Sequence, residues 1–252
     1  MQVVILCGGK GTRSYPFTEY SPKAMMPIGG TPIIVHLMRI YAVQGFTNFI
    51  LAAGHRQEIL RDYFERGFAG WNIQIVDTGS DTDTAQRLER CARLIHGRFF
   101  VTYGDGVGNV NLGALLNFHK AAGGLATLTT VPLRSQYGTV AFDSSKRVCR
   151  FEEKPVIADR FINAGFFVFE PAVFRFWRGS SLEQDVLPAL AERGELYSYL
   201  HHGFWKSMDT SKDQQDLEKL QSLNGSAPWL DGLEPKTAAT NTVDLALTEK
   251  IA

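Results

Sequence analysis

Residues 1–13 read MQVVILCGGKGTR, a short apolar run that breaks into the glycine cluster Gly8–Gly9–Lys10–Gly11. That pattern predicts a buried first strand over Met1–Leu6 feeding a tight turn. Working outward, Pro32–Gln44 (PIIVHLMRIYAVQ) spaces apolar residues at helical intervals, opening on a proline and stopping at Gly45, a good start and stop for a helix. Asn48–Ala53 then reads as a strand, Gln57–Glu65 as a helix and Trp71–Val76 as a strand. Thr84–Leu94 reads as an amphipathic helix with a basic outer face, Arg98–Tyr103 as a buried strand and Leu112–Ala122 as a helix. Strand and helix in alternation describe an α/β fold, a Rossmann-like mixed central sheet flanked by helices and joined by right-handed crossovers.

After residue 122 the texture changes. Ala126–Val131, Thr139–Phe142, Val148–Glu152 and Ile162–Phe169 are rich in β-branched and aromatic residues, and are expected to add to the sheet in antiparallel fashion. Helices return at Pro171–Trp177, Leu182–Glu192 and Ser211–Leu223. No linker or repeat divides the chain, so one domain is expected over residues 1–228. Residues 229–252, polar and Thr-rich, read as a tail.

The rest of the composition removes whole classes of function. Among 252 residues, Lys+Arg (26) balances Asp+Glu (26), which disfavours duplex DNA and acidic membrane surfaces as partners. A chain 44% hydrophobic and 21% charged has an ordinary globular make-up. No apolar run approaches the roughly 18 residues that span a bilayer. The N-terminus shows no basic n-region or cleavage site, so a cytoplasmic location is expected. Cys7, Cys91 and Cys149 are odd in number and never at CxxC spacing, which argues against a disulfide framework or a zinc site. His201–His202 is the one histidine cluster, and adjacent strand residues face opposite ways.

Clustered glycines after a first strand bare their backbone N–H groups, a common way to hold phosphate. Two familiar phosphate motifs fail on spacing. A dinucleotide fingerprint needs GxGxxG opening into a helix, whereas Gly9-x-Gly11-x-x meets Ser14 with Pro16 just beyond. A P-loop needs Gly–Lys–Ser/Thr at its end, whereas Lys10 precedes Gly11.

The longer stretch GGKGTRSYPFTEYSPKAMMPIGGTPII resembles the signature of the sugar-1-phosphate nucleotidyltransferases, GGxGTRLxPxTxxxPKPMxPxxGxP, with Ala24 where proline is usual. Tyr103–Gly104–Asp105–Gly106, Glu153–Lys154–Pro155, Asn163–Ala164–Gly165–Phe166–Phe167 and Met208–Asp209–Thr210 follow in the family's order. Such enzymes join a nucleoside triphosphate to a sugar 1-phosphate and release pyrophosphate. The attacking phosphate is mostly ionised at neutral pH, its second pKa being about 6, so no general base is needed. Cations and exact placement carry the reaction.

The resemblance therefore implies roles for single residues. Arg13 and Lys23 would be catalytic along the triphosphate. Leu6, Gly8, Gly9, Gly11, Thr12, Arg87 and Gly104 would bind the nucleotide. Asp105 and Asp209 would hold Mg²⁺, although Asp209 on sequence alone could equally be a helix N-cap. Glu153, Lys154, Asn163 and Gly165 would bind the sugar phosphate, although Glu–Glu–Lys–Pro also reads as a plain charged turn. Residues 1–122 would thus be mainly nucleotide-binding, and residues 123–228 mainly sugar-binding with the second metal ligand. A homo-oligomer is implied as well. Val76–Asp77–Thr78–Gly79 with Thr84…Arg87–Leu88, Val107 after the Asp–Gly pair, and Gly203–Phe204–Trp205 are most similar to the CTP-using branch. The Gln–Pro–x–Gly–Leu–Ala stretch of the thymidylyl branch is absent. The alternatives are thymidylyl or uridylyl transfer, or a catalytically silent nucleotide-sugar binder of the same fold.

Overall fold

The computed structural model describes residues 1–224 and 227–233. Seven strands form the central sheet: β1 (Gln2–Leu6), β2 (Asn48–Ala53), β3 (Asn72–Asp77), β4 (Phe99–Tyr103), β5 (Ala126–Arg134), β6 (Val156–Phe169) and β7 (Leu196–Leu200). Their spatial order is β7-β5-β6-β4-β1-β2-β3. β1 pairs in parallel with both β2 and β4, and β2 with β3. β6 runs antiparallel to its neighbours β4 and β5, and β7 lies parallel to β5. Only β6 is reversed, so the expected mixed α/β sheet is present.

Alternation along β1 explains why helices cover both faces. Val3 and Ile5 point into one core with Ile33, Leu37 and Tyr41 of helix α1 (Ile33–Ala42). Val4 and Leu6 point into the other with Ala85, Leu88 and Cys91 of a second helix, Thr84–Cys91. A strand buried on both faces must be apolar at every position, as VVIL is. The remaining helices include Leu112–Ala122, capped by the Asn111 side chain and closed by Gly123 in the left-handed region at φ 75, and Ser211–Asn224.

Three expectations change. Thr139–Phe142 and Val148–Glu152 do not join the sheet but form a separate antiparallel ribbon. β5 is already flanked by β6 and β7, and β6 by β4 and β5, so neither has an edge free to receive it. The expected helix at Pro171–Trp177 is a 3-10 turn, Pro171–Phe176, and the one at Leu182 opens with a π-helical turn, Leu182–Val186, before regular helix over Leu187–Glu192. The expected tail does not start at residue 229. Trp229 is fully buried, edge-on to the His36 ring at 5.2 Å, and Leu230 and Leu233 pack on the same core. Aromatic burial outweighs the polar flanking composition there. Residues 234–252 of the expected tail lie outside the described residues.

Candidate active site

The parallel strands β1 and β4 end side by side, and their chains leave toward opposite edges of the sheet. Such a switch point is where open α/β sheets place ligands. A cavity of about 470 Å³ opens there. Leu6, Gly8 and Gly9 from the β1 turn, Arg13, Arg87, Asp105, Asn163 and Asp209 all line it.

Asp105 and Asp209, 104 residues apart in the chain, meet through a short ribbon. Gly106–Gly108 pairs with Trp205–Ser207 in the register Gly106↔Ser207, and the Met208 N–H donates to the Asp105 carbonyl at 2.8 Å. The Lys23 ammonium bridges the two carboxylates, 2.7 Å from Asp105 Oδ2 and 2.8 Å from Asp209 Oδ1. Arg13 Nη2 lies 3.0 Å from Asp209 Oδ1. Burial works to raise the Asp209 carboxyl, but hydrogen bonds from Lys23 and the charges of Lys23 and Arg13 outweigh it and hold it below the usual carboxylate range. Asp209 is thus an ionised acceptor.

The N-cap alternative for Asp209 fails for a local reason. Thr210 Oγ1 accepts from the Asp213 N–H at 3.2 Å while Asp213 Oδ2 accepts from the Thr210 N–H at 2.9 Å, a reciprocal capping box. Thr210 therefore caps Ser211–Asn224, and the Asp209 side chain is left to the cavity. Two carboxylates around one cation, beside a glycine turn, suit Mg²⁺, which takes one or two carboxylates and completes its shell with water and substrate phosphate oxygens. Among the described residues no group of three or more His, Cys, Asp or Glu gathers into a metal cluster.

Arg87 does not belong to the outer basic face expected of its helix; Arg90 and Arg93 are exposed there. Its side chain is buried, and Nη1 donates to Gly79 O at 2.7 Å, Thr78 Oγ1 at 2.8 Å and Ala53 O at 3.4 Å, while Nη2 reaches Ser80 O at 3.3 Å. The guanidinium ties the Thr78–Ser80 turn to the end of β2. Gly8 and Gly54 make room for it: a Cβ on Gly8 would run into the guanidinium and come within 2.8 Å of the Ala53 carbonyl carbon. The Cys7 thiol beneath this turn is pushed up to about 12 by burial, offset only partly by Arg87, so it is inert.

Gly11, in the left-handed region at φ 60, starts the 3-10 turn Thr12–Ser14 that presents Arg13. A Cβ there would stand 2.9 Å from Lys23 Cβ, so Gly11 sets the approach of the Arg13 and Lys23 segments. Thr12 is exposed at this turn. The Gly104 N–H donates to Leu6 O at 3.0 Å and locks the β1 and β4 ends together. Asn163 Oδ1 accepts from the Gly165 N–H at 2.9 Å, and Gly165, at φ 80, leaves space for the Tyr103 ring. Glu153 and Lys154 are not brought to the cavity. They lie beyond the exposed ribbon, with Lys154 Nζ 4.0 Å from Glu153 Oε1 and Lys154 in the left-handed region at φ 49.

Several residues to which the sequence reading gave no role line the cavity as well. Tyr103 and Trp205 reach the cavity, Trp205 through a 2.8 Å bond from Nε1 to Ala164 O. Glu183 does so from the segment Ser181–Leu182–Glu183–Gln184, which reads from sequence as nothing more than a capped helix start. Burial, together with the Glu183 carboxylate, raises the Tyr103 phenol well above its ordinary value.

A cationic pair, a carboxylate pair and a glycine turn at one switch point make a site suited to joining phosphates. The chain belongs to the nucleotidyl transferase family, whose model matches residues 2–222. Its relatives narrow this to the sugar-1-phosphate nucleotidyltransferases. A glucose-1-phosphate cytidylyltransferase from Salmonella typhi is 37% identical over 91% of this chain and 98% of its own. A mannose-1-phosphate guanyltransferase from Hypocrea jecorina is 32% identical over 94% of this chain and 66% of its own. The crystal structure of HddC from Yersinia pseudotuberculosis shares the fold, with a TM-score of 0.69 at 20% identity over 85% of this chain and 96% of that one. Among the described residues no helix is long and apolar enough to cross a membrane.

Proposed function

We propose that this protein transfers a cytidylyl group from CTP to a sugar 1-phosphate, glucose 1-phosphate first among the candidates, and releases pyrophosphate. The observation that carries the reading is the convergence of Arg13 and Lys23 on Asp105 and Asp209 beside the Gly8–Gly9 backbone. The glucose-1-phosphate cytidylyltransferase likeness along nearly the whole chain supports the nucleotide. Asp105 and Asp209 would hold Mg²⁺, which when bound neutralises charge on the triphosphate and on departing pyrophosphate. Lys23 and Arg13 align the triphosphate; Arg13, paired with Asp209 through Nη2 but 74% exposed at its side chain, presents the rest of its fork to phosphate oxygens. The Gly8–Gly9 backbone admits the pyrimidine at close range. Arg87 acts on base choice through the turn it holds, offering the carbonyls of residues 78–80 in fixed positions, rather than as a free donor to the ring. Asn163, held by the Gly165 N–H, faces the sugar, and Lys154, outside the cavity, would reach the sugar phosphate by a movement of the ribbon side.

The test is a matrix of CTP, UTP, dTTP and GTP against sugar 1-phosphates with Mg²⁺, scored by pyrophosphate release. CTP is expected to turn over fastest, because a site built around one hydrogen-bonding edge rejects its mismatch strongly. Equal or faster release with another triphosphate overturns the cytidylyl reading. No release with any pair overturns the transferase reading in favour of a silent binder.

A further inference from the structure

Glu183 reaches the cavity in an unusual state for an exposed carboxylate: it is held by hydroxyls from separate elements and has no cationic partner among the described residues. Oε2 accepts from Thr84 Oγ1 at 2.7 Å and from Ser181 Oγ at 3.2 Å, and Oε1 accepts from the Tyr103 phenol. The direction of each bond is set by a second one behind it. Thr84 Oγ1 already accepts from the Leu182 N–H at 2.8 Å, so its proton is turned toward Glu183. The Tyr103 oxygen already accepts from Asn163 Nδ2 at 3.2 Å, so its proton too is turned toward Glu183. Asn163 is oriented in its turn by the Gly165 N–H. The whole network donates toward one carboxylate.

An ionised carboxylate offers about four lone-pair directions, and three are taken. The one left, on Oε1, is open to a hydrogen-bond donor or a cation. A phosphate oxygen is excluded there by charge, and a backbone carbonyl by having no proton. We infer that Glu183 accepts a hydrogen bond from a hydroxyl of the bound sugar and so determines which sugar 1-phosphate the enzyme takes. This rests on the sugar-1-phosphate reading above. Asn163 and Tyr103 are positioning residues for it, because they fix the carboxylate without supplying the acceptor. The arrangement is ready before substrate arrives, so the contact needs no ordering of a long, mobile side chain.

The test pairs Glu183→Gln with single-deoxy analogues. With CTP and the best sugar 1-phosphate, kcat/KM is measured for the 2-, 3-, 4- and 6-deoxy forms. In the wild type one position is expected to lose roughly 10- to 100-fold, the worth of a hydrogen bond to a charged group. In Glu183→Gln the penalty at that position should shrink to within about 3-fold, with the KM for CTP unchanged. Tyr103→Phe keeps the acceptor but releases it from the phenol, so the penalty at that position should persist in reduced form, between the wild-type and Gln values, which guards against a Gln variant that fails to fold. Equal penalties at every position in both enzymes, or a Gln variant that loses CTP and sugar alike, would make Glu183 a clamp between the Thr84 helix and its own loop and overturn the inference. Absence of turnover with intact sugars would instead overturn the transferase reading itself.

Discussion

The floor of the cavity and the ribbon over residues 139–152 are built on opposite terms. On the floor, Lys23 is 11% exposed at its side chain and touches both carboxylates, and Arg87 is buried with its Nη1 protons all engaged. On the ribbon, Val140 stands opposite Phe151 and Phe142 opposite Val148, all four exposed. Lys154 beyond them holds a left-handed backbone that costs a non-glycine residue of order 1 kcal/mol. The difference teaches that the charged floor proposed to handle the phosphates is held by buried contacts of the sheet and its turns. The part assigned to the sugar phosphate hangs on a segment with little packing of its own.

Removing the charge centre should break this contrast most violently. Asp209→Asn or Asp105→Asn is expected to cut kcat/KM by about 10³-fold or more, several kcal/mol of lost charge stabilisation, with a near-normal melting curve. An Asp209→Asn enzyme with normal turnover and metal dependence would remove that residue from the metal site. Arg87→Met comes next. It strands the Gly79 and Ser80 carbonyls and the Thr78 hydroxyl, and should lower unfolding free energy by about 2–4 kcal/mol in urea titration; a change in base preference with stability intact would restore Arg87 as a reader of the ring. Lys154→Ala should do least. It is expected to raise the KM for sugar 1-phosphate about tenfold, leave the KM for CTP alone, and shift stability by less than about 0.5 kcal/mol. Should the CTP KM move instead, the division between floor and ribbon is wrong.

The parts legible in sequence are those where local pattern and burial agree. β1 could be read because VVIL is apolar at every position, and β2 because Phe49–Ala53 is as well. Asp105 could be read because it follows a buried strand and stands before a glycine. The burial of Arg87 could not be read, because helical periodicity shows which residues share a face but not that Gly8 and Gly54 hollow out a space for a guanidinium. Asp209 was ambiguous because its neighbour Thr210 carries the capping box, and the partner that decides this, Asp213, lies a turn further on. The ribbon misled because strand propensity is blind to whether a sheet has a free edge. Glu183 left no trace, since its meaning depends on Tyr103 and Thr84, distant in the chain and adjacent only in the fold.

The reversed strand β6 has a mechanical consequence. It hydrogen-bonds to β4 over Phe166–Phe169 and to β5 from Val156 to Phe169, with its register to β5 shifting between Ile157 and Phe161 and again between Asn163 and Phe167, so a single strand ties the edge beside Asp105 to the part that carries Asn163. A jaw-like closing of the two sides of the cavity would have to strain the ladders of this strand. Whatever closing accompanies the reaction falls to the loops at the rim.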